Sequence, residues 1–169
     1  MRIDIKSISH CTGASLTIET EISPSDMTVS FQGYRLTRPL SFTGQLQNTG
    51  DGVLVLTGRI TTGYEGDCAR CLVPVQADLE VALSDVFRPK AAEGETEDEN
   101  SYPYEGWKLD ISQAIRDNLV LAMPQRLFCR EDCSGLCPDC GNNLNEKDCG
   151  CAAARASNTS PFDQLKKLL

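Results

Sequence analysis

The chain has 169 residues, one histidine, nine cysteines and a formal net charge of −8. That length accommodates one domain with a real core, or a modest core with a small appended module, and an acidic chain does not attract nucleic acid broadly. The opening MRIDIKSISHCTG lacks the features of a signal or transit peptide, and no apolar run approaches the roughly 18–20 residues needed to span a bilayer, so the expectation is a soluble cytoplasmic protein with no membrane partner.

Residues 1–90 read as an antiparallel β domain. Ile3 and Ile5 alternate with Arg2, Asp4 and Lys6; Leu16, Ile18 and Ile22 alternate with Thr17, Glu19 and Glu21; Met27, Val29 and Phe31 alternate with Thr28 and Ser30. A period of two gives each strand one buried and one wet face. Between two apolar runs, Asn48 to Gly52 predicts a hairpin loop. Val75, Ala77, Leu79, Val81 and Leu83 then predict another strand with those residues inward. The pattern predicts an α+β fold, mainly antiparallel β as a sandwich or partial barrel, with one main helix and a cysteine-rich zinc module.

Residues 91–107 carry Glu93, Glu95, Glu97, Asp98, Glu99 and Glu105 with no basic residue, the composition of an acidic loop or linker. Its aromatics Tyr102, Tyr104 and Trp107 are expected to dock the far end onto the core. Residues 108–128 hold the clearest helix, predicted to pack on the sheet. Asp110 stands as its N-cap with Gln113 at the capping-box position; Ile111, Ala114, Ile115, Leu119 and Ala122 make one apolar stripe; Pro124 ends it. After a cysteine module at 129–151, residues 152–169 read as linker and a short amphipathic helix built on Phe162, Leu165, Leu168 and Leu169.

Eight cysteines fall into close pairs: Cys68 with Cys71, Cys129 with Cys133, Cys137 with Cys140, and Cys149 with Cys151. In a reducing compartment such pairs point to metal rather than disulfides. A CxxC turn holds two sulfurs on one side, and Gly141 can take the positive φ that completes CPDCG. Cys149 and Cys151 leave one face of an extended segment, so the last four cysteines can form a local quartet, with Cys68, Cys71, Cys129 and Cys133 as a second site. The pairing in which Cys129 and Cys133 join Cys137 and Cys140 also satisfies the spacing. Either way the expectation is two structural Zn²⁺ ions held by Cys68, Cys71, Cys129, Cys133, Cys137, Cys140, Cys149 and Cys151, which would bring the formal charge to about −12. Cys11 stands alone and reads as a small buried hydrophobe.

No enzymatic arrangement is legible. His10 and Cys11, adjacent on an expected strand, would point to opposite faces; there is no phosphate-binding glycine loop; and sites filled by four protein ligands keep no position for a catalytic water. No small-molecule substrate suggests itself. A zinc-stabilised thiol redox sensor or enzyme is the alternative, but neither CxxC opens an apolar-periodic helix as a thioredoxin-like centre requires.

CARCLVP at Cys68–Pro74, the acidic middle, LDISQAIRDNLVLAMP, and then the run from GLCPDCGNNLN to CGC together resemble the YceD family, over most of the chain from Asp67 onward. Members are named for a role in accumulation of large-subunit ribosomal RNA. The resemblance implies a factor in 23S rRNA maturation or large-subunit assembly, with no established enzymatic activity. It also favours the local pairing, because some members lack the counterpart of Gly135–Cys151 yet keep those of Cys68, Cys71 and Cys133. Many cysteine-rich members carry Asp-Pro-Arg near the C-terminus, where this chain has Ser160, Pro161 and Phe162. A role in ribosomal RNA and an acidic chain are reconciled by a basic partner: a large-subunit ribosomal protein or a pre-ribosomal particle, with rRNA touched only locally through Arg126, Arg130 or Arg155.

Overall fold

A computed structural model describes residues 1–23, 33–90 and 100–152. The chain divides into two compact units, Met1–Gly66 with Gln76–Gln125, and Asp67–Val75 with Arg126–Leu169. The expected strand on Met27, Val29 and Phe31, the acidic run Glu93–Glu99, Arg155 and the C-terminal amphipathic segment lie outside the described residues.

The first unit contains β1 (Arg2–Asp4), α1 (Lys6–Ser9), β2 (Ser15–Ile22), β3 (Tyr34–Leu36), β4 (Leu40–Gly50), most of β5 (Val53–Asp67) and β6 (Pro74–Pro89), β7 (Tyr102–Tyr104), β8 (Lys108–Asp110) and α2 (Ser112–Ala122). Six strands form one sheet in the order β2-β4-β5-β6-β7, with β3 also paired to β5, while β1 and β8 form a two-stranded ribbon. The mainly antiparallel expectation holds, with β7 on β6 as a parallel exception. Alternation fixes the faces: in β6 the inward series Val75, Ala77 and Leu79 is half-buried and Val81 and Leu83 are buried, with Gln76, Asp78, Glu80, Ala82 and Ser84 exposed.

The loop expected at Asn48–Gly52 tightens to a two-residue turn. Asp51 and Gly52 both take positive φ, 52° and 74°, as a turn matched to the twist of its strands requires. Gly50 pairs with Val53 after a bulge that follows Asn48. Asn48 itself is buried and satisfied: its Nδ2 donates to the carbonyls of Ile8 and Ser9 at 2.8 and 3.1 Å, and its Oδ1 accepts from Gly50 N–H at 2.9 Å. Those bonds tie the hairpin end to α1, a helix that the alternating reading of residues 1–6 missed.

The core gathers Phe42, Leu46, Leu56 and Ile60 from the sheet, Ile5 and Ile8 from the N-terminal turn, and Ile111, Ala114, Ile115 and Leu119 from α2. The apolar residues of α2 thus share one core with those of the sheet. Asp110 is not the N-cap. That position belongs to Ile111, which has no side-chain cap, while Asp110 sits one residue earlier and accepts from Ser112 N–H at 2.9 Å. Met123 is extended, as the residue before Pro124 must be, and ends α2 at Ala122. Part of the expected linker is strand: Tyr102 and Tyr104 of β7 are half-buried and pack on the core. Trp107 is largely exposed, its ring 5.2 Å from that of His10. His10 caps α1 rather than lying on a strand, and Cys11 is exposed instead of buried. Among the described residues no helix is long and apolar enough to cross a membrane.

Candidate metal centres

The second unit is built on two turns of nearly identical backbone. In the first, Cys68 N–H donates to the Val73 carbonyl and Leu72 N–H to the Cys68 carbonyl, both at 2.9 Å. In the second, Cys137 N–H donates to the Asn142 carbonyl at 2.8 Å and Gly141 N–H to the Cys137 carbonyl at 2.9 Å. Both turns close through a residue of positive φ, Leu72 at 60° and Gly141 at 73°. Glycine meets that conformation without cost, whereas a leucine crowds its Cβ against the following carbonyl. Gly141 was legible in the sequence; the strained Leu72 was not.

These turns present their cysteines to separate partners. Cys68, Cys71, Cys129 and Cys133 converge in one group and Cys137, Cys140, Cys149 and Cys151 in another, with the ligand atoms of each group within 4.8 Å of one another. The structure therefore brings together all eight cysteines and does so in the local arrangement; the exchanged pairing is not the one formed. Cys11 belongs to neither group.

The donor sets fit a tetrahedral thiophilic ion. Four sulfurs at about 2.3 Å from a central Zn²⁺ stand about 3.8 Å apart, and Cys68 and Cys133 are separated by 3.8 Å and Cys71 and Cys129 by 3.6 Å. Those separations are far beyond a covalent S–S bond of about 2.05 Å, and all nine cysteines are free. In the first group Cys68, Cys71 and Cys133 are buried, flanked by half-buried Val75 and Leu136, and Cys129 is exposed. The second group is more open, with Cys137 buried, Cys149 and Cys151 half-buried, and Cys140 exposed.

Electrostatics shows why a cation would complete each group. Burial raises the Cys68 thiol, but N–H donors of Arg70, Cys129 and Cys71 outweigh it and bring it down to about 6. Cys129, desolvated and facing the sulfurs of Cys71, Cys133 and Cys68, is pushed up to about 12. The second group repeats the division. Backbone donors of Cys140 and Asp139 lower Cys137 to about 7, while the sulfurs of Cys149 and Cys140 and desolvation raise Cys151 to about 12. Thiolates form readily at Cys68 and Cys133 in the first group and at Cys137 in the second, whereas the last thiol of each group resists ionising, because like charges accumulate in a shared space. A divalent cation reverses that balance and allows all four to ionise.

Two further side chains organise the first group, and neither stood out in the sequence. Arg70 donates Nη1 to the carbonyls of Glu131 and Cys133 at 3.1 and 2.9 Å and lays its guanidinium 4.9 Å from the Phe128 ring centre. Asn145, from the loop between the second group's two pairs, places Nδ2 3.4 Å from Cys133 Sγ. Its Oδ1 accepts from Ser134 N–H at 2.8 Å and from Arg130 at 2.7 Å. The signal available was a polar NNLN run inside a short loop, which reads as loop chemistry alone.

The architecture is that of a β-rich protein bearing two four-cysteine clusters. The chain belongs to the YceD family: the model for "Large ribosomal RNA subunit accumulation protein YceD" matches residues 56–169. Similar proteins include an uncharacterized protein of Mycobacterium tuberculosis and one of Mycobacterium bovis, each 33% identical over 144 residues, covering 83% of this chain and 69% of the relative. The chloroplastic YCED homolog 1 of Arabidopsis thaliana, named as a large ribosomal RNA subunit accumulation protein, is 40% identical over 55 residues, 32% of this chain and 17% of its own length. No solved structure matches.

Proposed function

We propose that the chain is a non-enzymatic, zinc-binding factor that supports 23S rRNA accumulation and large ribosomal subunit assembly, acting mainly through protein contacts. The convergence of eight cysteines into two four-thiol groups carries the zinc reading, because closed tetrathiolate sites hold a fold together and keep no position open for a substrate. Family membership and the names of plant relatives support the ribosomal reading. The acidic chain supports a basic protein or a pre-ribosomal particle as direct target over naked RNA. Arg126 and Arg130 are exposed and available for local RNA contact, although Arg130 is already engaged by Asn145 and Asp132.

Sedimentation with precursor large subunits and with naked 23S rRNA, over a salt series, tests this reading. The protein should travel with the particle and bind naked RNA weakly, without the steep salt slope of a many-phosphate contact. Replacing Glu93, Glu95, Glu97, Asp98 and Glu99 by Gln or Asn should slow association with the particle if that acidic run steers it. Tight, strongly salt-dependent binding to naked RNA would overturn the protein-contact reading.

A thiol redox sensor is the second reading, favoured by one observation, the exposure of one thiol in each group, Cys129 and Cys140. In metal-replete protein a sensor thiol reacts rapidly with an alkylating reagent, and a structural ligand slowly.

A further inference from the structure

Three apolar side chains stand in water on the first cluster's turn and the segment beside it: Leu72 is 62% exposed, Val73 40% and Phe128 39%. Leu72 is the unusual one. It holds φ 60°, where the twin turn has Gly141 at 73°, so it strains the backbone without entering the core. Nothing in the fold of the turn requires a leucine there.

The charge around this patch indicates what covers it. Over residues 67–73 and 126–133, Arg70, Arg126 and Arg130 balance Asp67, Glu131 and Asp132, and four thiolates around a divalent ion add a formal charge of about −2. Two of the arginines are turned to internal work: Arg70 holds the carbonyls of Glu131 and Cys133, and Arg130 contacts Asn145 and Asp132. Asp132 has 83% of its side chain exposed. With its ion bound, this surface would carry a formal charge of about −2 beside three exposed apolar side chains. Aliphatic Leu72 and Val73 offer no ring on which a base could stack, and Arg70 lies over the Phe128 ring.

We propose that Leu72, Val73 and Phe128 form a docking surface for a basic protein segment that carries an apolar anchor. This rests on the zinc-binding assembly-factor reading and adds which part of the chain makes the protein contact. The strained leucine is kept for its side chain, which a partner buries, and the negative charge of the loaded cluster favours basic residues flanking the anchor.

The test uses the full metal-loaded chain with Leu72→Gly and, as a second variant, Leu72→Asn, since both residues tolerate positive φ. Zinc content and melting temperature are measured first; then affinity for precursor large subunits and naked 23S rRNA, and self-association. Both variants should keep their zinc and melt no lower than the parent, yet bind the particle at least tenfold more weakly. If the parent binds and the variants bind equally well, the surface is wrong and the assembly-factor reading stands. If the parent does not bind, that reading falls and this proposal with it. Lost zinc or a lower melting temperature would make Leu72 structural. A loss confined to naked RNA would make the patch an RNA surface, and a loss of self-association would make it a contact between copies of the chain; each overturns the proposal.

Discussion

Asn145 lies between Cys140 and Cys149, in the loop of the second cluster, yet its amide reaches Cys133 of the first. A donor to a thiolate lowers its charge density and fixes its direction, and such outer contacts commonly govern metal affinity by about 10–100-fold. Asn145→Ala should therefore speed zinc transfer to a competing chelator about tenfold from the first cluster, leaving the second cluster's rate little changed. Metal-release kinetics in backgrounds carrying Cys140→Ser or Cys71→Ser, each of which removes one cluster, would assign the rates. Equal acceleration of both, or of neither, would contradict the role given to this side chain.

Within the elements of the first unit, a polar network joins β6, β7 and α2. Asn118 donates to Asp85 Oδ2 at 2.8 Å and to the Ala114 carbonyl at 2.9 Å, and Tyr102 donates its hydroxyl to Asp117 at 3.1 Å. Desolvation and the Asp117 carboxylate raise Asp85, although Asn118 acts the other way. A carboxyl whose pKa is raised on folding favours the folded state while it is protonated, and that contribution is lost as pH rises through the folded pKa. At neutral pH Asp85 thus costs stability. Asp85→Asn removes the charge while its carbonyl oxygen can still accept from Asn118, and should stabilise the protein at pH 7 by at most about 0.5 kcal/mol after solvent screening. Thermal melts should show that gain shrinking as pH falls through the raised pKa of Asp85 and gone once the carboxyl is protonated in both folded and unfolded states; a loss of stability at pH 7 would contradict the assignment. The strands of this unit were legible because one period-two pattern fixes a whole face, as in β6. Other features depend on partners distant in sequence. Gly44 stands opposite Gly58, and a Cβ on either would come within 2.8 Å of the buried Phe42 ring, so the glycines make room for an aromatic that no local pattern locates. The one-turn α1 was lost because Ile3, Ile5 and Ile8 satisfy strand alternation at one end and helical spacing at the other.

Over the whole molecule, the cysteine spacings pointed to eight candidate ligands but left their partition open, since short loops permit either grouping. The fold decides it. The turn 67–75 and the segment after Arg126 belong to one compact unit, which assembles Cys68, Cys71, Cys129 and Cys133 and leaves the last four cysteines to close locally. Arg70 and Asn145 stayed hidden because their targets are backbone carbonyls and a sulfur brought near only by that assembly. We propose that both groups hold zinc in the native protein. Elemental analysis of the full chain purified without chelator, combined with thiol titration under native conditions, decides this. About two zinc ions per chain should be found, with Cys11 the one thiol that reacts rapidly. Protein that is folded and metal-free, with the clustered thiols freely titratable, would contradict it.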